Sequence, residues 1–459
     1  MKSRRLRRGW LLALAMATAL VANPIQPATG ADPETVNEVR TRLLGAGWDD
    51  PNEIRGRSIG NTTWLVSYGG TVILHDSTIE DQLTDTGENA ETNGYVSLDD
   101  IVAAKPVAIL QDHTHFDQQH HAAQVAARAG TPIVTDLGGC VWTKTDAIKL
   151  GLDPADVNCN LIRDASGKPF FTNDSYFLPV GQGLDLGIDD LLDGLNLNPD
   201  LSGAVGEDAT LGDFFTFTAY GDKGWPEDPL PGGIDAMATQ IKHSPTFTNR
   251  PYPEHLDSGP SVDPLASAQD MLEDYKDASP EEIANNIWGI YAPFDLEGSN
   301  IAWRVKYRDF SLVHHGSTGP TNAIEPGATD VKRALETLSQ DDRVDLEIGG
   351  LAEQVFYLYG GESHPEQKEY ARAIGAKKYF PTHHYNWFPQ WLTQPAATYW
   401  PAMQETWAAG RKEYGTKFPE MCYLTEDNYA TLWSTKASTW AGDKVGTFTP
   451  LTGPGCYTG

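Results

Sequence analysis

An α/β sandwich is the fold this sequence predicts, with two packed mixed sheets and helices outside in an αββα order of layers. Three observations predict it. A strand–loop–helix–strand rhythm runs from about residue 58 to 135. The rhythm returns from Ile301 after an acidic, Gly- and Pro-containing interruption. Histidines stand at the ends of apolar strands, or in loops following them, on both sides of that interruption. Alternating elements of this kind stack in layers because each has an apolar face to bury.

In chain order, Trp64-Leu65-Val66 and Val72-Ile73-Leu74 flank Gly69-Gly70, a turn that tolerates positive φ, so residues 58–78 read as a hairpin. Pro106 to Leu110 reads as a strand that runs straight into Gln111-Asp112-His113. The alanine-rich stretch Gln119 to Ala129 reads as a helix ending at Gly130, and Pro132 to Thr135 as the next strand. Residues 140–235 lack clean periodicity, and their aspartates, as in Leu184-Asp185-Leu186-Gly187-Ile188-Asp189-Asp190, lack the spacing of a calcium-binding EF-hand. A solvated acidic loop or lid is the reading there. Strands return at Ile301 to Tyr307, Phe310 to Val313 and Val344 to Ile348, with helices at Thr329 to Leu338 and Pro365 to Ile374.

The chain has 459 residues, 40% hydrophobic and 21% charged, a globular composition. Its 34 Lys+Arg against 63 Asp+Glu give a formal charge of −29. Residues 1–30 carry basic Lys2, Arg4, Arg5, Arg7 and Arg8 and no acid, so the rest of the chain stands at −34. Such a surface repels phosphate backbones, and no local basic patch offsets it, so nucleic acid is not an expected partner. The basic segment Lys2 to Arg8 precedes an apolar run, Trp10 to Ala22, too short to span a bilayer. Residues 1–30 thus read as a secretory signal, cleaved near Ala31 or Asp32, rather than as a membrane anchor. Ser3-Arg4-Arg5 also permits a twin-arginine route, although Arg7 replaces the usual aromatic. No later segment approaches about 18 consecutive apolar residues, so no integral membrane segment is expected in the mature chain, which reads as secreted or periplasmic. Four cysteines in an exported chain suggest two disulfides, by sequence proximity Cys140 with Cys159 and Cys422 with Cys456. A thiolate zinc site is the rival reading, and no CxxC spacing supports it.

His113-Thr114-His115-Phe116-Asp117 carries the chemistry. Histidines at i and i+2 of an extended loop project to the same side and can clamp one Zn²⁺, while Asp117 offers an oxygen to a second ion. Further histidines follow downstream: His243, the pair His314-His315, and the pair His383-His384. A centre assembled from loops at one sheet edge needs this distribution, whereas a structural zinc site uses close, Cys-rich spacing. His75 also ends a strand, so strand-end position alone is weak evidence. His255 and His364, in polar or Pro-containing loops, read as surface residues.

His113-Thr114-His115-Phe116-Asp117 resembles the HxHxDH signature of the metallo-β-lactamase superfamily, and most of all its lactonase-like metal-dependent hydrolase branch. Leu74-His75-Asp76 looks like the end of that family's opening strands. Ile241-Lys242-His243 fits its third ligand position, Ile301 to Gly319 the strands leading into its GDTG turn, and Pro381-Thr382-His383 its closing PxH ligand. The resemblance covers about 58–135 and 235–390. It implies a single metallo-hydrolase domain over 31–459, with an insertion at about 140–235 and a C-terminal extension at about 390–459. It also implies His113, His115, His243, Asp117 and His383 as metal ligands for one or two zinc ions. Two positions depart from the pattern: Gln118 stands where a zinc-binding His is usual, and Ser317 where the bridging Asp of the GDTG turn is usual. A complete two-metal centre and a single metal on His113, His115 and His243 both stay open. So does the choice of His121, His120, His314 or His315 as a substitute ligand.

The chemistry the resemblance implies is hydrolysis. Zinc lowers the pKa of bound water from 15.7 to about 7 and polarises a carbonyl or phosphoryl oxygen. Asp117 would orient that hydroxide and carry its proton to the leaving group, the catalytic role assigned here. Tyr385, Trp387, Phe388 and Trp391 are candidate pocket walls, although aromatics more often fill cores. His115 stands where the family's flavo-diiron members have Glu, which favours zinc over iron. No GxSxG elbow surrounds Ser317, so it reads as the carboxylate's replacement rather than as a nucleophile. The leading function is hydrolysis of a small-molecule lactone, lactam or ester-like bond. A phosphodiesterase, or a degenerate member that binds metal without catalysis, are the alternatives.

Overall fold

The computed structural model describes residues 34–79, 96–112, 116–135, 139–140, 143–144, 146–147, 150–162, 218–219, 230, 232–240, 301–318, 328–339, 344–351, 365–383, 396–424, 432–437 and 449–450. The segment proposed as a signal, the acidic run at 184–190, His113, His115, His243, His255, His364, His384, the aromatics from Tyr385 to Trp391, and Cys456 all lie outside these residues.

The first sheet opens as an antiparallel meander of β1 (Glu53–Gly60), β2 (Thr63–Tyr68) and β3 (Thr71–His75). Gly69 and Gly70 make the second turn at φ +60 and +99, a region costly for residues with a Cβ. Parallel strands β4 (Ala108–Leu110), β5 (Ile133–Thr135) and β6 (Cys159–Leu161) then extend the sheet. Parallel neighbours require crossovers. The first carries α2 (Leu98–Ala104), started by a capping box between Ser97 and Asp100. The second carries α3 (Phe116–Gln119) and α4 (Ala122–Ala129).

The second sheet repeats the plan. β7 (Thr218–Ala219), β8 (Ile234–Gln240), β9 (Ile301–Tyr307) and β10 (Phe310–His315) are antiparallel, and β11 (Leu346–Gly350), β12 (Lys378–Thr382) and β13 (Glu420–Met421) follow β10 in parallel. Helices α5 (Ala328–Leu338) and α6 (Pro365–Ile374) make the crossovers.

Side-chain alternation sorts the layers. Trp64, Val66 and Tyr68 of β2 point into a core shared with Ala236, Ala238, Trp303, Val305, Leu312 and Ile348 of the second sheet. Leu65, Val72 and Leu74 point the other way, onto Leu98 and Ile101 of α2, Val125 of α4, and Val39 and Leu43 of α1 (Val36–Leu44). On the far side Ala302 and Val313 pack against Val331 and Leu335 of α5 and Tyr370 of α6. The layers therefore run helix, sheet, sheet, helix, as the sequence predicts. Both faces of each sheet are covered, which is why Trp64-Leu65-Val66 is continuously apolar rather than alternating. Each fully buried large apolar side chain in these layers contributes about 1.5–3 kcal/mol.

The segment beyond residue 390, which no motif reached, is part of both sheets. After α7 (Ala396–Tyr414), β13 lengthens the second sheet, while β14 (Leu432–Lys436) pairs with β1 and β15 (Thr449–Pro450) with β14 in the first. Trp433 lies flat on Gly56, where any Cβ would collide with its indole. Within the interrupted region β6 adds an edge strand to the first sheet, and Cys140–Cys159 ties it to the chain after β5. Cys422 is disulfide-bonded as well. No helix among the described residues is long and apolar enough to cross a membrane.

Candidate metal centre

Parallel strands of both sheets deliver their carboxyl ends to one edge of the sandwich, where α/β folds commonly bind ligands. His75 ends β3 and Asp76 follows it, Gln111-Asp112 follows β4, His314-His315 ends β10, and His383 follows β12. Hydrogen bonds stitch these ends across the sandwich. Ile301 N donates to Asp112 O at 2.8 Å, Trp303 Nε1 to Gln111 O at 3.0 Å, and His383 N to Asn61 O at 3.1 Å. Thr382 Oγ1 accepts from Trp64 Nε1 at 3.2 Å and donates to Asn61 O at 2.5 Å. Asn61, Asp76 and His383 have φ of 28, 53 and 60, left-handed conformations that a non-glycine residue keeps only where its surroundings enforce them.

Three positions singled out in the sequence meet here. The Gln118 amide nitrogen lies 3.3 Å from Ser317 Oγ and 3.4 Å from His383 Nε2. An amide NH₂ has two hydrogens to give. Donating one to the hydroxyl and one to the ring uses the lone pair of His383 Nε2, so Gln118 has to turn away before that nitrogen could ligate a cation. Gln118 and Ser317 are buried and His383 half-buried, so a polar, uncharged wall joins α3, the turn after β10 and the end of β12. No charged group forms part of the triad. Asp117 lies in α3 immediately before Gln118. Among the five sequence-derived ligands, His383 is the one placed with its side chain. Ser317 accepts a hydrogen bond from the Gln118 amide.

The remaining histidines sort by their partners. His121 Nδ1 accepts from Ile79 N at 3.0 Å, so its proton sits on Nε2. Burial, with His120 beside it, lowers the His121 pKa to about 3. His315 places Nδ1 3.2 Å from Ser317 O and Nε2 3.1 Å from Glu347 Oε1, both acceptors, so neither nitrogen is left to ligate. Burial raises the Glu347 carboxyl above its ordinary value, against the pull of His315. His120 is exposed, its ring stacked edge-on against His121. His75 Nε2 is bonded to the Tyr68 hydroxyl at 3.0 Å.

His314 belongs to a second cluster. With Asp76 and Asp112 it offers one ligand atom per residue, all within 4.8 Å of one another and all buried. Gln111 Nε2 and Asp112 N both donate to Asp76 Oδ1 at 3.0 Å. Burial, and then the neighbouring Asp112 carboxylate, push the Asp76 carboxyl well above its usual range. Burial lowers the His314 pKa, partly countered by Asp112. Neither aspartate was a sequence candidate. The only signal was an acidic residue one or two positions after each of two apolar strands, and nothing in a linear chain says those strands lie side by side.

No protein-family model matches the sequence, and no curated protein does. Solved structures do match. The metallo hydrolase Igni18 of the hyperthermophilic archaeon Ignicoccus hospitalis is 12% identical, with a TM-score of 0.38 over 81% of this chain and 95% of its own. The diiron β-hydroxylase CmlA of Streptomyces venezuelae is 11% identical at TM-score 0.39, over 84% of this chain and 54% of its own. The metallo-β-lactamase fold protein YhfI of Bacillus subtilis is 11% identical at TM-score 0.33, over 83% and 99%. One fold hosts many chemistries, so function has to come from the residues of the site.

Proposed function

We propose that this chain is an exported metal-dependent hydrolase of the metallo-β-lactamase superfamily, lactonase-like in its motifs. Its substrate class is a small molecule with a lactone, lactam or ester-like bond. His113, His115 and His243 are assigned the primary zinc, and Asp117 and His383 are assigned to a second. The convergence of Gln118, Ser317 and His383 carries the reading. These residues come from the three separate motifs that the resemblance assigns to one centre, and Gln118 lies within hydrogen-bond reach of both Ser317 and His383.

A bound zinc ion supplies Lewis acidity towards water and towards the scissile carbonyl. The chain's own residues do the rest. Asp117 holds and relays the proton of the attacking water. Gln118 holds the His383 ring while no cation occupies Nε2 and would turn away to release that lone pair, with Ser317 anchoring the amide at its other hydrogen. A net charge of −34 after removal of residues 1–30 disfavours polymeric phosphodiesters.

A panel of chromogenic lactam, lactone, phosphodiester and sulfate esters, run with zinc-loaded protein, tests the proposal. Turnover of a lactam, lactone or carboxyl ester supports it; selective turnover of the phosphodiester replaces it with the alternative, and no turnover with stoichiometric zinc makes the chain a binding protein. Asp117→Asn keeps the shape and one oxygen but cannot take the proton. It should lower kcat by about 10²–10⁴-fold while zinc content stays unchanged at the histidine site. A near wild-type rate in that variant would remove Asp117 from the mechanism.

A further inference from the structure

We infer that Asp76, Asp112 and His314 form a buried site for one divalent cation of the zinc or manganese class, with a ligand set that shares no residue with the sequence-derived centre. The three come from the ends of β3, β4 and β10, so a cation there would clamp the two sheets at the edge that carries the centre.

The proton positions make the case. All three side chains are 0% exposed. His314 Nε2 is 3.0 Å from Thr62 O, and a carbonyl oxygen only accepts, so Nε2 carries the proton. Nδ1 of the neutral ring is then a lone pair, and it faces Asp112 Oδ2 at 3.5 Å with no hydrogen bond between them. Asp112 Oδ1 likewise has no hydrogen-bond partner, and Asp76 Oδ2 has none within hydrogen-bond geometry, its nearest His314 nitrogen being the protonated Nε2 at 4.0 Å. Among the described residues no Lys or Arg pairs with either carboxylate. Two adjoining carboxylates, one of them facing an imidazole lone pair, all away from water, cost several kcal/mol per charge unless a proton or a cation lies between them.

A divalent cation meets that need. Zinc–nitrogen and zinc–oxygen bonds of about 2.0–2.2 Å place neighbouring ligands of a tetrahedron about 3.3–3.6 Å apart. The 3.5 Å between His314 Nδ1 and Asp112 Oδ2 already has that spacing. One imidazole with two carboxylates favours zinc or manganese over calcium or magnesium, which prefer all-oxygen shells. Gly316 keeps the space open. A Cβ there would lie 2.8 Å from Asp112 Oδ2 and 2.9 Å from Asp76 Oδ2, and its own N–H donates to Asp112 Oδ2.

Crystals of the full mature chain grown with zinc chloride, measured on both sides of the zinc absorption edge, test this directly. The expected result is an anomalous peak within about 2.5 Å of ligand atoms from all three residues. A flat map between these side chains would overturn the proposal in favour of a shared proton. Zinc content in solution separates it from the hydrolase reading. Asp112→Asn and His314→Gln should each lose one equivalent that the His113→Ala/His115→Ala double variant keeps. If both single variants hold the wild-type count, the site is refuted and the hydrolase reading stands. If only the double variant keeps its zinc, the buried site stands and the histidine assignment falls.

Discussion

His121 gives a pH dependence whose sign and size follow from the structure. Its imidazole is buried at the start of α4, accepts from Ile79 N, and has its pKa lowered from 6.5 to about 3. In the unfolded chain the ring protonates near 6.5, while in the folded chain it stays neutral. Below pH 6.5 the unfolded state therefore binds the extra proton, and stability falls as pH falls, down to about 3. At pH 5 the unfolded ring is about 1.5 units below its pKa, worth about 2 kcal/mol at roughly 1.36 kcal/mol per unit. His121→Asn keeps an oxygen able to accept from Ile79 N but cannot titrate. Its smaller volume lowers stability by a constant amount, whereas the titration changes the slope. Urea unfolding of both proteins at pH 7.5 and 5.0, at fixed metal content, gives the double difference. Wild type should lose about 2 kcal/mol more than the variant between these values. Equal losses would refute the reasoning and would mean that His121 can charge in place.

Other perturbations probe other joints. Gly56→Ala forces the Trp433 indole off β1 and should destabilise by about 3–5 kcal/mol, the scale of losing a buried aromatic, with a red shift in tryptophan emission. An unchanged spectrum would mean that β14 does not need that seat. The double variant Cys140→Ala/Cys159→Ala opens a loop of sequence separation 19 and should cost about 3 kcal/mol in denaturant unfolding. A loss near zero would mean that the segment after β5 is already constrained in the unfolded chain. Gly316→Ala adds a methyl against two buried carboxylates and should cost about 1–3 kcal/mol by crowding, since Gly316 is not among the positive-φ glycines. Wild-type stability in that variant would show the carboxylates free to move apart.

The layer order was legible because it depends on local pattern. Trp64-Leu65-Val66 and Val72-Ile73-Leu74 are apolar on both faces, and strands read that way only when covered on both sides. Short loops and turn glycines then fix which strands are neighbours. The strands beyond residue 390 escaped the reading. β13 and β14 are brief, lack a motif, and are recruited to two different sheets by pairing partners more than 40 residues away in the chain.

The sequence alone determined the αββα layers, the acidic charge, the likeness of Cys140 and Cys159 to a disulfide pair, and the three motif positions Gln118, Ser317 and His383. Each of these is written in neighbouring residues or in composition. Only the tertiary structure decided that Gln118 bridges Ser317 and His383, that His315 is spent on Glu347, and that Asp76, Asp112 and His314 face one another. Hydrophobic burial is set by periodicity along the chain, but these clusters are made by side chains more than 30 and up to about 265 residues apart. Their meeting depends on where three strand ends stop, and stopping points are set by pairing register and not by any residue read on its own.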